Sequence, residues 1–142
     1  MNPTEQKLRV LKDKYKAQLI KALGHLDYSY QKSTNLPMLE KDMDEETLET
    51  WEGFSSRFAR VVDLYTTKYL KTCVLLSDPA FDGSYRDWLD AAEKLRLIDS
   101  ADFFMKMREI RNIHSHDYRD DKLQAFLSDL RTYAPHLLKI QL

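Results

Sequence analysis

The stretch LETWEGFSSRFARVVDLYTTKYLKTC, residues 48 to 73, places Leu48, Trp51, Phe54, Phe58, Val61, Val62, Tyr65, Tyr69 and Cys73 at steps of three and four. That spacing is the one-sided apolar stripe of a helix rather than the alternation of a strand. Asp44, followed by Glu45 and Glu46, supplies an N-cap and negative charge at the positive end of this helix. Asp78-Pro79 ends it near Ser77.

The same periodicity extends outward in both directions. Leu8, Leu11, Tyr15, Leu19, Leu23, Leu26 and Tyr30 predict a long first helix from about Thr4 to Gln31, with Pro3 and Thr4 suiting its start. Residues 32–41, with Asn35 and Pro37, lack a period and read as a loop. After Gly83, Ser84 caps a short helix bearing Trp88, Leu89, Ala92 and Leu95. Asp99 or Ser100 caps the next, which buries Phe103, Phe104, Met107 and Ile110. A last helix follows Asp120 through Leu123, Phe126, Leu127, Leu130 and Tyr133 until Pro135 stops it. The expected fold is all-α: an up-and-down bundle of about five helices in one domain, residues 1–142, with two long antiparallel helices and shorter ones closing the ends. The Met and aromatic residues of these stripes are core residues in this reading.

Composition narrows the function classes. Twenty-two basic against twenty-three acidic residues give a net charge of −1, which argues against strong, sequence-independent attraction to nucleic acid. A basic stripe on the first helix, Lys7, Arg9, Lys12, Lys14, Lys16 and Lys21, could make a local contact, although a lysine-rich face is commonly just solvated. No apolar run has the length of a membrane span, the first residues lack the apolar core of a signal peptide, and the lone Cys73 sits in an apolar stripe, so a reducing cytoplasm is the expected location.

The chemistry concentrates in Arg111-Asn112-Ile113-His114-Ser115-His116-Asp117-Tyr118. Arginine can hold a phosphate at two points, histidine can move a proton near neutral pH, and a phenol can be acid, anchor or modification acceptor. On an unbroken helix Arg111, His114 and Tyr118 share a face, while His116 points about 140° away from Arg111. A helix end near Ser115 would let His116 swing back towards Arg111. Read blandly, either histidine is a helix-terminal cation suited to the C-terminal dipole. A metal site at His114 and His116 with Asp117 requires a local break, since residues two apart face nearly opposite sides of a helix. Ser115, His116 and Asp117 are too close in sequence for a hydrolase relay, and three scattered glycines make no phosphate loop.

Arg111 to Tyr118 fits R-x4-H-x-Y with a polar residue after the arginine, and this resembles the signature of the HEPN superfamily, in particular the HEPN toxins paired with minimal nucleotidyltransferase antitoxins. The run Arg57-Phe58-Ala59-Arg60-Val61-Val62-Asp63-Leu64, continuing to Lys68-Tyr69-Leu70-Lys71, is similar to the second helix of the subgroup long labelled nucleotidyltransferase substrate-binding proteins, as is Leu97-Ile98-Asp99. Two departures stand out: Ala59 replaces the first of two acidic residues usual in that helix, Asp63 standing at the second, and His114 occupies a position where the subgroup often has a small polar residue.

The resemblance implies a metal-independent endoribonuclease that needs no cofactor and forms its groove across a homodimer. Arg111 would then stabilise charge and His116 transfer protons, with Asn112, His114 and Asp63 as accessory groups. It further implies a tRNA or mRNA substrate and a minimal nucleotidyltransferase antitoxin that adenylylates Tyr118. The alternative from another class is a non-catalytic helical adaptor that binds a nucleotidyltransferase or presents a nucleotide to it.

Overall fold

The computed structural model describes residues 2–114, with His114 by its backbone alone, and residues 122–142. Its helices are α1 (Pro3–Ser33), α2 (Glu45–Asp63), a π-helical stretch (Leu64–Leu70), α3 (Lys71–Ser77), α4 (Tyr85–Lys94), α5 (Ala101–His114) and α6 (Lys122–Leu137), with one 3-10 turn at Glu40–Asp42. Because α2, the π-helical stretch and α3 follow one another without a break, the elements form five rods, and the described residues contain no strand. The all-α bundle expected from the periodicity is what is found. No helix among the described residues is long and apolar enough to cross a membrane.

The first four rods begin where a side chain satisfies the first free amides. Asn2 Oδ1 accepts from Glu5 N at 2.7 Å, ahead of Pro3, so α1 starts slightly earlier than Thr4. Asp44 accepts from Thr47 N at 2.8 Å. Ser84 and Asp87 exchange bonds as a capping box, and Ser100 Oγ accepts from Phe103 N at 3.1 Å. At its far end α1 continues to Ser33, beyond Gln31, where Ser33 and Thr34 hydroxyls donate to the carbonyls of Tyr30 and Gln31.

The two long rods are antiparallel. Leu8 shares a cleft with Leu75 and Leu76, whereas near the other end of α1 the Tyr30 ring meets Phe54 edge-on and Arg57 donates to Ser29 Oγ at 2.9 Å. Trp51, Phe54, Phe58, Tyr65, Leu70, Met107, Ile110, Leu127 and Leu130 fill one core between the rods. Trp51 Nε1 donates to the Pro37 carbonyl and ties the 34–44 connection to it. Cys73 is buried and free, as the apolar stripe predicts.

Three local expectations are corrected. Pro135 does not stop α6, which runs to Leu137: the missing N–H costs a single bond in the last turn, while Ala134 and Leu137 are fully buried and Leu138 N still reaches the Ala134 carbonyl at 3.0 Å. Leu95 does not join the core; it lies just past α4 and is exposed, where the chain turns through Arg96 at φ 59°. The third concerns the winding of the second rod. Phe54, Phe58, Val62, Thr66, Leu70 and Val74, six positions at steps of four, are all buried. In a regular α-helix each step of four advances about 40°, so the ends of that series would face about 200° apart. The π-helical stretch slackens the winding and keeps the series on the core.

Candidate functional site

Asp63 is the last residue of α2 and Arg111 lies in the last turn of α5. Arg111 donates through Nε to Asp63 Oδ1 at 2.8 Å and through Nη2 to Oδ2 at 2.9 Å, a two-point match of planar guanidinium to carboxylate. Both side chains are partly exposed, at 29% and 41%, so the pair stands at the surface rather than in the core. The hydrogen bonds to Asp63 raise the Arg111 pKa, against the opposing effect of partial burial, and the guanidinium stays charged.

The winding change sits directly behind this pair. A π-helical turn leaves carbonyls open to outside donors, and here threonine hydroxyls take up several: Thr66 Oγ1 donates to Val62 O at 2.7 Å, Thr67 Oγ1 to Asp63 O at 2.6 Å and Thr72 Oγ1 to Lys68 O at 2.7 Å. Trp88 of α4 adds Nε1–H to Thr66 O at 3.0 Å. The Asp63 backbone is thus fixed from its own rod, and the nearby Thr66 carbonyl from α4. Tyr85 packs edge-on against Trp88 and lies under Arg108, whose guanidinium is 4.0 Å from the ring centroid. Burial pushes the Tyr85 phenol up.

In front of the pair lies a shallow hollow of about 390 Å³, whose lining includes Ser56, Ala59, Arg60, Thr67 and Lys68 beside Asp63 and Arg111. Ala59 contributes only a methyl group here, so among the described residues Asp63 is the single carboxylate of the lining. Asn112 is exposed on α5. The predicted residues Arg111 and Asp63 are therefore brought together. His116 and Tyr118, with Ser115 and Asp117, lie outside the described residues, as does the His114 side chain. Arg60 and Lys68 stand in the second-helix run that carries the resemblance, which assigns them no role, and Thr67 belongs to no motif; the signal in the sequence for the two cations is their spacing of eight residues, about two helical turns along the second rod. Among the described residues no three His, Cys, Asp or Glu side chains gather as a metal-holding group.

Chemically, the arrangement offers a positive hollow with a pre-set guanidinium at one edge, suited to an oxyanion such as a phosphate. Comparison with protein-family models, curated proteins and solved structures finds no match for this chain.

Proposed function

We propose that this chain is a toxin-like, metal-independent endoribonuclease of the HEPN type, held in check by a minimal nucleotidyltransferase partner in the cytoplasm. The observation that carries the reading is Arg111, the arginine of the R-x4-H-x-Y motif, fixed at two points by Asp63 over a hollow that also holds Arg60 and Lys68. A guanidinium oriented before substrate arrives can meet the charge that develops on a phosphorane without reorganising.

In the reaction, a ribose 2′-hydroxyl gives its proton to a base and attacks the adjacent phosphorus. The bond to the 5′-oxygen breaks, that oxygen takes up a proton, and the products are a 2′,3′-cyclic phosphate and a 5′-hydroxyl. His116 is assigned the proton transfers and Arg111 the phosphorane charge. A homodimer would supply one such pair from each protomer, giving the base and the acid separate imidazoles. Asn112 would orient the phosphate, and His114 is an accessory group.

The adaptor reading draws on the same ion pair. A guanidinium whose Nε and Nη2 edge is given to Asp63 is also a strut joining α2 to α5. The experiment that separates them is expression of the chain alone, followed by incubation of the pure protein with RNA in excess chelator. Growth arrest, cyclic phosphate ends, and loss of both in Arg111→Ala and His116→Ala are expected, with His114→Ala retaining much activity. A harmless chain that leaves RNA intact but still binds a nucleotidyltransferase would establish the adaptor instead.

A further inference from the structure

A second hollow, of about 340 Å³, adjoins the one beneath Arg111. It lies over the α1–α2 face, between Lys21 and His25 on one side and Arg60 on the other, and shares Arg60 and Leu64 with the first hollow. The two hollows meet at Arg60 and Leu64, and together they are called the trough. Among the described residues, five basic side chains line it, Lys21, His25, Arg60, Lys68 and Arg111, against one carboxylate, that of Asp63, which is already bound to Arg111.

The excess of positive charge is local, because the whole chain carries a net charge of −1. It is also not neutralised from within: the ion pairs among the described residues join Arg9 to Glu5, Arg86 to Asp90 and Asp102, Lys106 to Glu109 and Arg111 to Asp63, and none includes Lys21, Arg60 or Lys68. Of the six residues of the basic stripe, Lys7, Arg9, Lys12, Lys14, Lys16 and Lys21, it is Lys21 that lines this trough, joined from the same helix by His25.

The shape of the charge selects the ligand. A lone phosphate would engage one half and leave the other half's cations unanswered, whereas an extended polyanion answers both. Among the described residues neither half has an aromatic ring in its lining, so these residues offer bases no stacking platform. Contacts confined to phosphates position a strand without reading its sequence.

We propose that the trough from Arg111 past Arg60 to Lys21 and His25 holds the sugar-phosphate backbone of single-stranded RNA flanking the scissile phosphate. The choice of RNA rests on the ribonuclease reading above; the need for a multiply charged strand rests on the trough itself.

Fluorescence anisotropy with the full chain, a short labelled oligouridylate and a mixed-sequence RNA of equal length tests this over a range of salt. Lys21 and Arg60 are exposed, so their replacement leaves the core intact. Lys21→Ala with Arg60→Ala should weaken binding about tenfold and reduce the slope of log affinity against log salt by about 1.4, that is about 0.7 for each phosphate no longer neutralised. Lys7→Ala on the same helix should change neither, and the two RNAs should bind alike. An unchanged slope in the double variant, no RNA binding by the wild type, or AMP binding that alone responds to the two substitutions would overturn the proposal.

Cleavage is scored separately. RNA bound through Lys21 and Arg60 but never cut sinks the ribonuclease reading and keeps the trough. RNA cut equally well by wild type and double variant does the reverse.

Discussion

Asp63 and Arg111, 48 residues apart in the chain, meet in a planar two-point ion pair that joins the end of α2 to the last turn of α5. The pair fixes where a guanidinium stands without depending on any ligand. Its worth to stability is small, because the Asp63 side chain is 41% exposed and solvent screens it.

Asp63→Asn therefore separates positioning from folding. The amide turns an N–H towards the guanidinium or offers one oxygen in place of two, so Arg111 loses its fixed plane. A loss below about 1 kcal/mol is expected, seen as a melting point lowered by no more than about 3 °C. RNA cleavage should fall by about tenfold to a hundredfold, the usual result of a displaced catalytic group. Melting curves and initial rates on the same preparation decide it. Equal activity in Asp63→Asn would show that Arg111 needs no such support.

Trp88 is expected to matter more for the fold than its half-buried ring suggests. Its indole N–H is the donor from α4 to the Thr66 carbonyl, and its ring carries Lys71 Nζ at 4.8 Å from the centroid. Trp88→Phe keeps an aromatic ring but leaves Thr66 O, in a fully buried residue, without that partner. A cost of about 1–2 kcal/mol follows, together with faster amide exchange confined first to residues 62–72. Exchange that rises uniformly along the chain would show that the π-helical stretch is held by the core alone.

Much of this architecture is legible in the residues. Cap signals at Asp44, Ser84 and Ser100 and the i, i+3, i+4 stripes locate the rods because caps and burial are local properties of a helix. The π-helical stretch is not legible in this way: Tyr65, Tyr69 and Cys73 recur at consecutive steps of four, but so do Leu11, Tyr15, Leu19 and Leu23 on the regular helix α1. Pro135 misleads because propensity is overridden by the burial of Ala134 and Leu137 on either side. The pairing of Arg111 with Asp63 has no local signature, since periodicity says which face a residue occupies but not which residue of another rod it meets. The same holds for Arg60 and Lys21, which come together only when α1 packs on α2.

Acid should weaken the fold through its helix caps. The Thr47 amide holds the Asp44 carboxyl below the ordinary aspartate value of 3.8, and the Ser84 amide does the same for Asp87. A carboxylate depressed in the folded state stabilises above its unfolded pKa and loses that contribution as pH falls through the folded value. The melting point should thus decline below about pH 4, with the loss completed only under the depressed folded pKa values. Asp44→Asn with Asp87→Asn keeps neutral acceptors at both caps and should flatten the decline. A curve as steep in that variant as in the wild type would assign the acid sensitivity to other carboxylates.

The regulatory expectation concerns Tyr118, two residues beyond His116. A minimal nucleotidyltransferase supplied with ATP and magnesium should transfer AMP to the Tyr118 oxygen, forming a phenolic phosphodiester and releasing pyrophosphate. On the proposed reading, the added phosphate would compete as an anion with an RNA phosphate for Arg111 and lower the positive charge offered to a strand. Adenylylated protein should then lose RNA cleavage together with part of its salt-dependent RNA affinity. Tyr118→Phe has no oxygen to modify and should remain active in the presence of the partner and ATP. Intact mass and peptide mapping measure the adduct, and cleavage assays with and without ATP measure its effect. Inhibition that needs no ATP, or that is undiminished in Tyr118→Phe, would mean that the partner silences this chain by covering the Arg111 hollow rather than by modifying it.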